Sequence, residues 1–285
     1  MIPLFKRLLA ALPENTPAQR TIEYNGQQFT VTVTWVVENV IVLVNASNER
    51  IAYASAFNGI AGAIVRPSFI NRTNDTILPN TVRYALYDSA NLKLDEQVVA
   101  VTTLSPNSQT GLGDYTLTPL VAGDYHLKVM IFTNGEPTPA YEQDLPILVG
   151  KAGISGIAYA GIEGAVEAAT SGDTVNVYDE LPAGLEISKD GLTIDMLSNE
   201  AAGNVVINGN NTTLENGTIN GNLTISADVA DDFDADNVTV VGTTYIYGGS
   251  SNTVTFNNCT LNDMVIDKDG VVVKFDGNSS AGTVD

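Results

Sequence analysis

Five aspartates, Asp228, Asp231, Asp232, Asp234 and Asp236, fall within nine residues and form the densest group of chemically capable side chains in the sequence. Paired carboxylates can act as acid and base in glycoside hydrolysis, and several oxygens together suit a hard cation such as calcium. Their spacing matches no ordered ligand loop, so the plainest reading is a solvated acidic loop between two structural repeats. Other reactive types are sparse. His126 is the single histidine and Cys259 the single cysteine. One cysteine forms no internal disulfide, and Cys259 is expected to pack as a small apolar side chain. His126 follows a tyrosine in a strand-like run and is expected to be structural or surface-exposed. No cofactor or metal is implied.

The element that must position the acidic group is a repeat. Asn216-Gly217-Thr218, Asn237-Val238-Thr239 and Asn258-Cys259-Thr260 lie 21 residues apart, each followed by an apolar residue in register: Ile219, Val240 and Leu261. A β-rich period of this length marks a solenoid, because one unit is too short to bury its own apolar face and must stack on the next. Stacked coils would place Asn216, Asn237 and Asn258 above one another at roughly 4.8 Å. Their amides would form a ladder in a buried turn, where Asn tolerates left-handed dihedrals. Asn278, 20 residues after Asn258, is expected to be the last rung. Thr174 to Asp285 would give about five coils at this period.

Composition bounds the rest. The chain has 285 residues, 44% hydrophobic and 16% charged, enough for two domains with real cores. Net charge is −20 and uneven: residues 151–285 carry 4 Lys, no Arg and 20 acidic residues. Such a surface repels a phosphate backbone, which disfavours nucleic acid as partner. No uncharged run of 18 apolar residues occurs, so no membrane-spanning helix is expected. Sequons at Asn45, Asn71, Asn74, Asn211, Asn216, Asn222, Asn237, Asn258 and Asn278 suggest glycosylation at first sight, yet the turn ladder already accounts for several.

Taken in order, residues 1–20 read as an N-terminal arm with a short amphipathic helix. Leu4, Phe5, Leu8, Leu9 and Leu12 lie on its apolar face, a candidate docking stripe, and Pro13 ends it. The apolar run is too short for a secretory signal. Residues 21–150 carry alternating β-branched runs at Gln28–Trp35, Val40–Val44, Thr81–Asp88, Gln97–Leu104, Asp114–Leu120, Tyr125–Phe132 and Leu145–Val149, with a hairpin turn at Asn25-Gly26. Asn58–Asn80 is rich in Gly, Asn and Pro and reads as a long loop. From Gly150 to Ala160 small residues mark a domain boundary. Ile162, Ala165, Val166 and Ala169 then space out one helix face, before strands at Thr174–Tyr178, Leu185–Ile187, Leu192–Leu197 and Val205–Ile207.

These residues carry two resemblances. Leu120 to Val129, with Tyr125 heading a late strand, resembles the tyrosine corner of immunoglobulin-like and fibronectin-type sandwiches, which implies a bond from Tyr125 back to nearby backbone. The helix, Gly172-Asp173-Thr174-Val175 and the strands that follow resemble the entry to a right-handed parallel β-helix of the pectin-lyase-like superfamily, whose helix covers the N-terminal end. The expected fold is therefore all-β: an antiparallel Ig-like sandwich, then a right-handed parallel β-helix of about five coils over 151–285 with a capping helix. Family lyases need an Arg or Lys base beside calcium, and family hydrolases a Gly-His-Gly and an Arg-Ile-Lys. Of the hydrolase set only Asp231-Asp232 is present.

The expected function is accordingly non-catalytic. A sandwich anchor joined to a β-helix resembles bacteriophage virion components such as head fibres, decoration proteins, tail fibres or tailspikes, assembled in the host cytoplasm. The expected partners are further copies in a trimer, neighbouring virion proteins, or a host surface glycan or receptor. The apolar last coil, Val271 to Asp285, is expected to need such shelter. A secreted adhesin or surface-layer or filament subunit, placed at the cell surface, is the structural alternative. A polysaccharide lyase or hydrolase is the enzymatic one, favoured if a groove across the parallel strands presents paired carboxylates.

Overall fold

The computed structural model describes residues 17–285, apart from 25–26, 35–37, 102, 119, 134–135 and 250–252. The stripe at Leu4, Phe5, Leu8, Leu9 and Leu12, the Asn25-Gly26 turn and Trp35 lie outside the described residues. Pro17–Tyr24 and Gln27–Thr34 pair as an antiparallel ribbon, a two-stranded sheet of its own.

Two sheets follow. One orders Ser108–Gly111, Pro67–Asn71, Val40–Val44 and Arg50–Ile51; the other orders Ala54–Phe57, Tyr141–Gly150, Gly123–Thr133, Pro79–Asp88 and Lys93–Val99. Pairing is antiparallel except between Ala54–Phe57 and Tyr141–Gly150. The sheets share one core, in which Ile41, Leu43 and Phe69 meet Val82, Tyr84, Leu86, Leu127, Val129 and Ile131. Gly123–Thr133 sends alternate residues inward, Tyr125, Leu127, Val129 and Ile131, as a half-buried strand must.

The strands depart from those expected at three places. The expected loop at Asn58–Asn80 contains Pro67–Asn71, an inner strand whose Phe69 is fully buried. Two buried polar residues broke its alternation: the Ser68 hydroxyl donates to the Thr110 carbonyl, and the Asn71 amide to the Asp75 and Leu104 carbonyls. The strand expected at Gln97–Leu104 runs instead over Lys93–Val99, an edge strand exposed on both faces and so without a burial period. Among the described residues of Asp114–Leu120, only Tyr115–Thr116 is strand.

The solenoid consists of parallel strands stacked coil on coil. Thr174 pairs in register with Thr193, Thr193 with Thr213, Thr213 with Asp234, Asp234 with Thr255 and Thr255 with Lys274. These steps define about five coils of 19–21 residues. A second column runs Ala201, Ile219, Val240, Leu261, Ala281, and a third Leu185, Val205, Leu223, Thr244, Met264. Val175, Ile194, Leu214, Ala235 and Phe256 fill one side of the interior, and Ile187, Ile207, Ile225 and Ile246 another. Identical positions stacking on themselves make the core continuous without a long-range pattern in any single coil.

The N-terminal end of this core has two covers. Helix α1, Ile162–Ala168, buries Ile162 and Ala165 against it. Lys189, one coil on, donates to the Glu167 and Ala169 carbonyls at the helix's C-terminal end, where a cation is favoured. The second cover is a hairpin within the expected boundary: Ala152–Ile154 and Ile157–Tyr159 pair antiparallel, and the first strand pairs antiparallel with Thr174–Val177. Ser155 (φ 49°) and Gly156 (φ 83°) make its two-residue turn, both left-handed as a type I′ turn requires.

Candidate display surface

The solenoid's turns are held by columns of side-chain oxygens. Asn216, Asn237 and Asn258 adopt φ of 55°, 54° and 51°. The Asn237 amide donates to the Asn216 side-chain oxygen at 3.3 Å, and the Asn216 amide to Asp195 at 3.0 Å. Ile219, Val240 and Leu261 are buried one step on. Two expectations fail. The turn is not buried, since Asn237 and Asn258 are exposed. Asn278 is not the next rung: Asn257 pairs with Asp276, which places Gly277 (φ 59°) above Asn258, and an added Cβ there would strike the Asn258 side chain. Asn278 instead donates its backbone N–H to the Asn258 side-chain oxygen at 3.2 Å.

Two further columns have backbone N–H donors and acceptors at uneven intervals of 18 to 22 residues, and so carry no fixed period in the sequence. The Asn204 side chain accepts from the Asn222 N–H at 2.8 Å, and the Asn222 side chain from the Thr243 N–H at 2.8 Å. Elsewhere the Asp190 side chain accepts from the Asn210 N–H at 2.7 Å, Asn210 from Ala230 at 2.7 Å, and Asp232 from Thr253 at 2.8 Å.

The acidic group is divided by the fold. Asp234 and Asp236 lie on the strand Phe233–Ile246, alternating with buried Phe233 and Ala235, while Asp228, Asp231 and Asp232 lie in the preceding turn. Among the described residues no group of His, Cys, Asp or Glu has metal-binding geometry. Asp236 belongs to an outward column: Asp195 pairs with Glu215, Glu215 with Asp236, Asp236 with Asn257 and Asn257 with Asp276. Burial, and then the Asp195 and Asp236 charges, push the Glu215 carboxyl above its usual range. This column had a sequence signature, a Thr or Asp two residues before an acid or amide at Thr193-x-Asp195, Thr213-x-Glu215, Asp234-x-Asp236 and Thr255-x-Asn257.

Tyr125 donates its hydroxyl to the Val121 carbonyl at 3.0 Å. His126 stacks on Tyr87, ring centroids 5.2 Å apart, on the outer side of its sheet. Cys259 is fully buried, its sulfur 3.4 Å from the Ala235 carbonyl oxygen, and burial pushes its thiol up, away from the reactive thiolate. Asn71, a sequon residue, is buried and has no room for a glycan.

Two open cavities flank the junction of the two halves. One, about 330 Å³, lies by Lys151, Glu163, Asp179 and Glu180; the other, about 490 Å³, by Tyr53, Arg66, Ser155 and Ile157. Neither includes the Asp195–Glu215–Asp236 column. At the junction itself the Asn58 N–H donates to Gly150, the Tyr53 hydroxyl to the Ala158 carbonyl, and the Ala158 N–H to the Ser55 hydroxyl. No helix among the described residues is long and apolar enough to cross a membrane. Comparison with protein-family models and with curated proteins finds no match.

Proposed function

We propose that this chain is a non-catalytic structural protein that attaches through its N-terminal part and displays the solenoid. The observation that carries this reading is the junction: the two halves are joined by direct hydrogen bonds and ring stacking, so a load or orientation imposed on one is transmitted to the other. The specific setting is a virion, as a bacteriophage head fibre, decoration or tail appendage protein assembled in the host cytoplasm. An extracellular adhesin or surface-layer subunit has the same mechanical need. Val272 (52% exposed) and Phe275 (40%) on the coil over 272–281 support contact with neighbours, as a trimer of this chain or with other virion proteins. Electron microscopy of the native particle tests the setting, and density for this chain on a cell surface rather than a virion would select the adhesin reading.

The enzymatic alternative, a polysaccharide lyase or hydrolase, draws on the Asp195–Glu215–Asp236 column, where Glu215 is held toward protonation between two carboxylates. Against it, neither cavity reaches that column, and a glycosidase needs its sugar held between the carboxylates. Incubation with pectin, alginate and capsular polysaccharide, with and without calcium, is expected to release no new chain ends. Release abolished by Glu215→Gln would overturn the non-catalytic reading.

A further inference from the structure

We propose that Tyr245 and Tyr247, on the outer face of the third strand column, form a binding site for quaternary ammonium groups. The two alternate with buried Thr244 and Ile246 and so point outward together. Their rings are nearly parallel, at 12°, with centroids 5.9 Å apart, and Tyr247 is 36% exposed. Tyr245 lies on the strand Phe233–Ile246 and Tyr247 directly follows it. Their neighbours in register are short: Thr224 precedes Tyr245 in its column and Val265 follows it. The pairing of Ile246 with Ile266 brings Asp267 beside Tyr247, and Asp228 adjoins Ser226 in the preceding coil through a bond from its N–H to the Ser226 hydroxyl.

The electrostatics select the ligand. Tyrosine rings carry negative potential on their faces and attract cations. The solenoid's 20 acidic residues against 4 Lys raise the local concentration of cations and repel anions. Lys268, which follows Asp267, is the one basic residue near the site in sequence. A primary amine keeps its water more strongly than a quaternary one, whose methyl groups can rest on two rings while the charge faces carboxylates. The site extends the display reading by naming what one displayed face takes, and it rests on that reading only in needing the face open to solvent.

The test uses the full chain and choline chloride, with 3,3-dimethylbutan-1-ol as the neutral isostere, read by the Tyr245 and Tyr247 ring signals in NMR. Choline is expected to give saturable shifts, and the isostere to bind several-fold more weakly. Removing one ring by Tyr245→Leu or Tyr247→Leu should weaken choline about 2- to 5-fold. Tyr245→Phe and Tyr247→Phe, which keep the rings, should bind as the wild type does. Equal response to choline and isostere, no saturation below roughly 100 mM, or loss of binding in the Phe variants would overturn the proposal. Particle microscopy reads the display function independently, so neither failure is mistaken for the other.

Discussion

Phe57, at the end of a sandwich strand, stacks on Tyr178, which follows the first solenoid strand, with ring centroids 4.1 Å apart and planes at 21°. Around this pair the backbone leaves no slack. An added Cβ at Gly153 would strike the Phe57 ring, and one at Gly150 would strike the Tyr159 backbone. The halves therefore share a seam of matched surfaces in place of a linker.

Breaking that seam should uncouple the halves. Phe57 is partly buried, so Phe57→Ala should cost about 2–3 kcal/mol, less than truncating a fully buried ring. Calorimetry is expected to show one cooperative transition for the wild type and two for the variant. A single transition that merely shifts would place the coupling elsewhere.

The exposed asparagine column separates two contributions to turn stability. At Asn237 (φ 54°), Asn237→Ala should cost about 1–2 kcal/mol, chiefly because alanine resists the left-handed region. Asn237→Gly keeps that region open and loses only the bond to Asn216, so its cost should be smaller. Urea denaturation of both variants checks the order, and equal costs would assign the effect to the inter-coil bond.

How much of this was legible depended on what each position uses to hold itself. Leu185–Ile187 and Val205–Ile207 could be read to the residue, because both outer positions of each are buried and apolar. The Asn216–Asn237–Asn258 column was visible because one residue type recurs at a constant interval. Asn278 misled because the coil there shortens: Val254 pairs with Val273, 19 residues on, and a glycine takes the turn. The Asn204–Asn222 and Asp190–Asn210–Asp232 columns were hidden by uneven intervals of 18 to 22 residues and, in the second, by mixed acceptors. Pro67–Asn71 was hidden by its buried Ser68 and Asn71, whose distant partners lie 42 and 33 residues away respectively.

One buried polar atom in the solenoid core is unsatisfied. The Thr244 hydroxyl oxygen has no hydrogen-bond partner among the described residues, although the residue is fully buried between Leu223 and Met264. Thr244→Val keeps the shape and removes the desolvated hydroxyl, so it should stabilise the fold by up to about 1 kcal/mol. Thr244→Ala, which leaves a cavity, should not. Destabilisation by valine, measured by denaturant midpoint, would show that the hydroxyl is satisfied.

The carboxylate column gives stability a pH dependence whose sign follows from Glu215. Its folded pKa is raised, first by burial and then by Asp195 and Asp236. Asp195 and Asp236 each accept an amide bond, from Asn216 at 3.0 Å and Asn257 at 3.0 Å. A carboxyl with a raised folded pKa binds its proton more readily in the native state than in the unfolded chain. Ionised Glu215 is thus destabilising at neutral pH, and its contribution improves as pH falls through its folded pKa toward its unfolded value. Asp173 runs the other way. The Thr170 N–H and hydroxyl hold its pKa below the usual range, so its stabilisation persists to lower pH and is lost only as pH falls through that depressed value. Glu215→Gln removes the repulsion and should raise the melting temperature at pH 7. The gap between variant and wild type should narrow as pH falls through the raised folded pKa of Glu215 and the wild type protonates. A gap that stays constant with pH would mean that packing of the amide, and not the charge on Glu215, sets the difference.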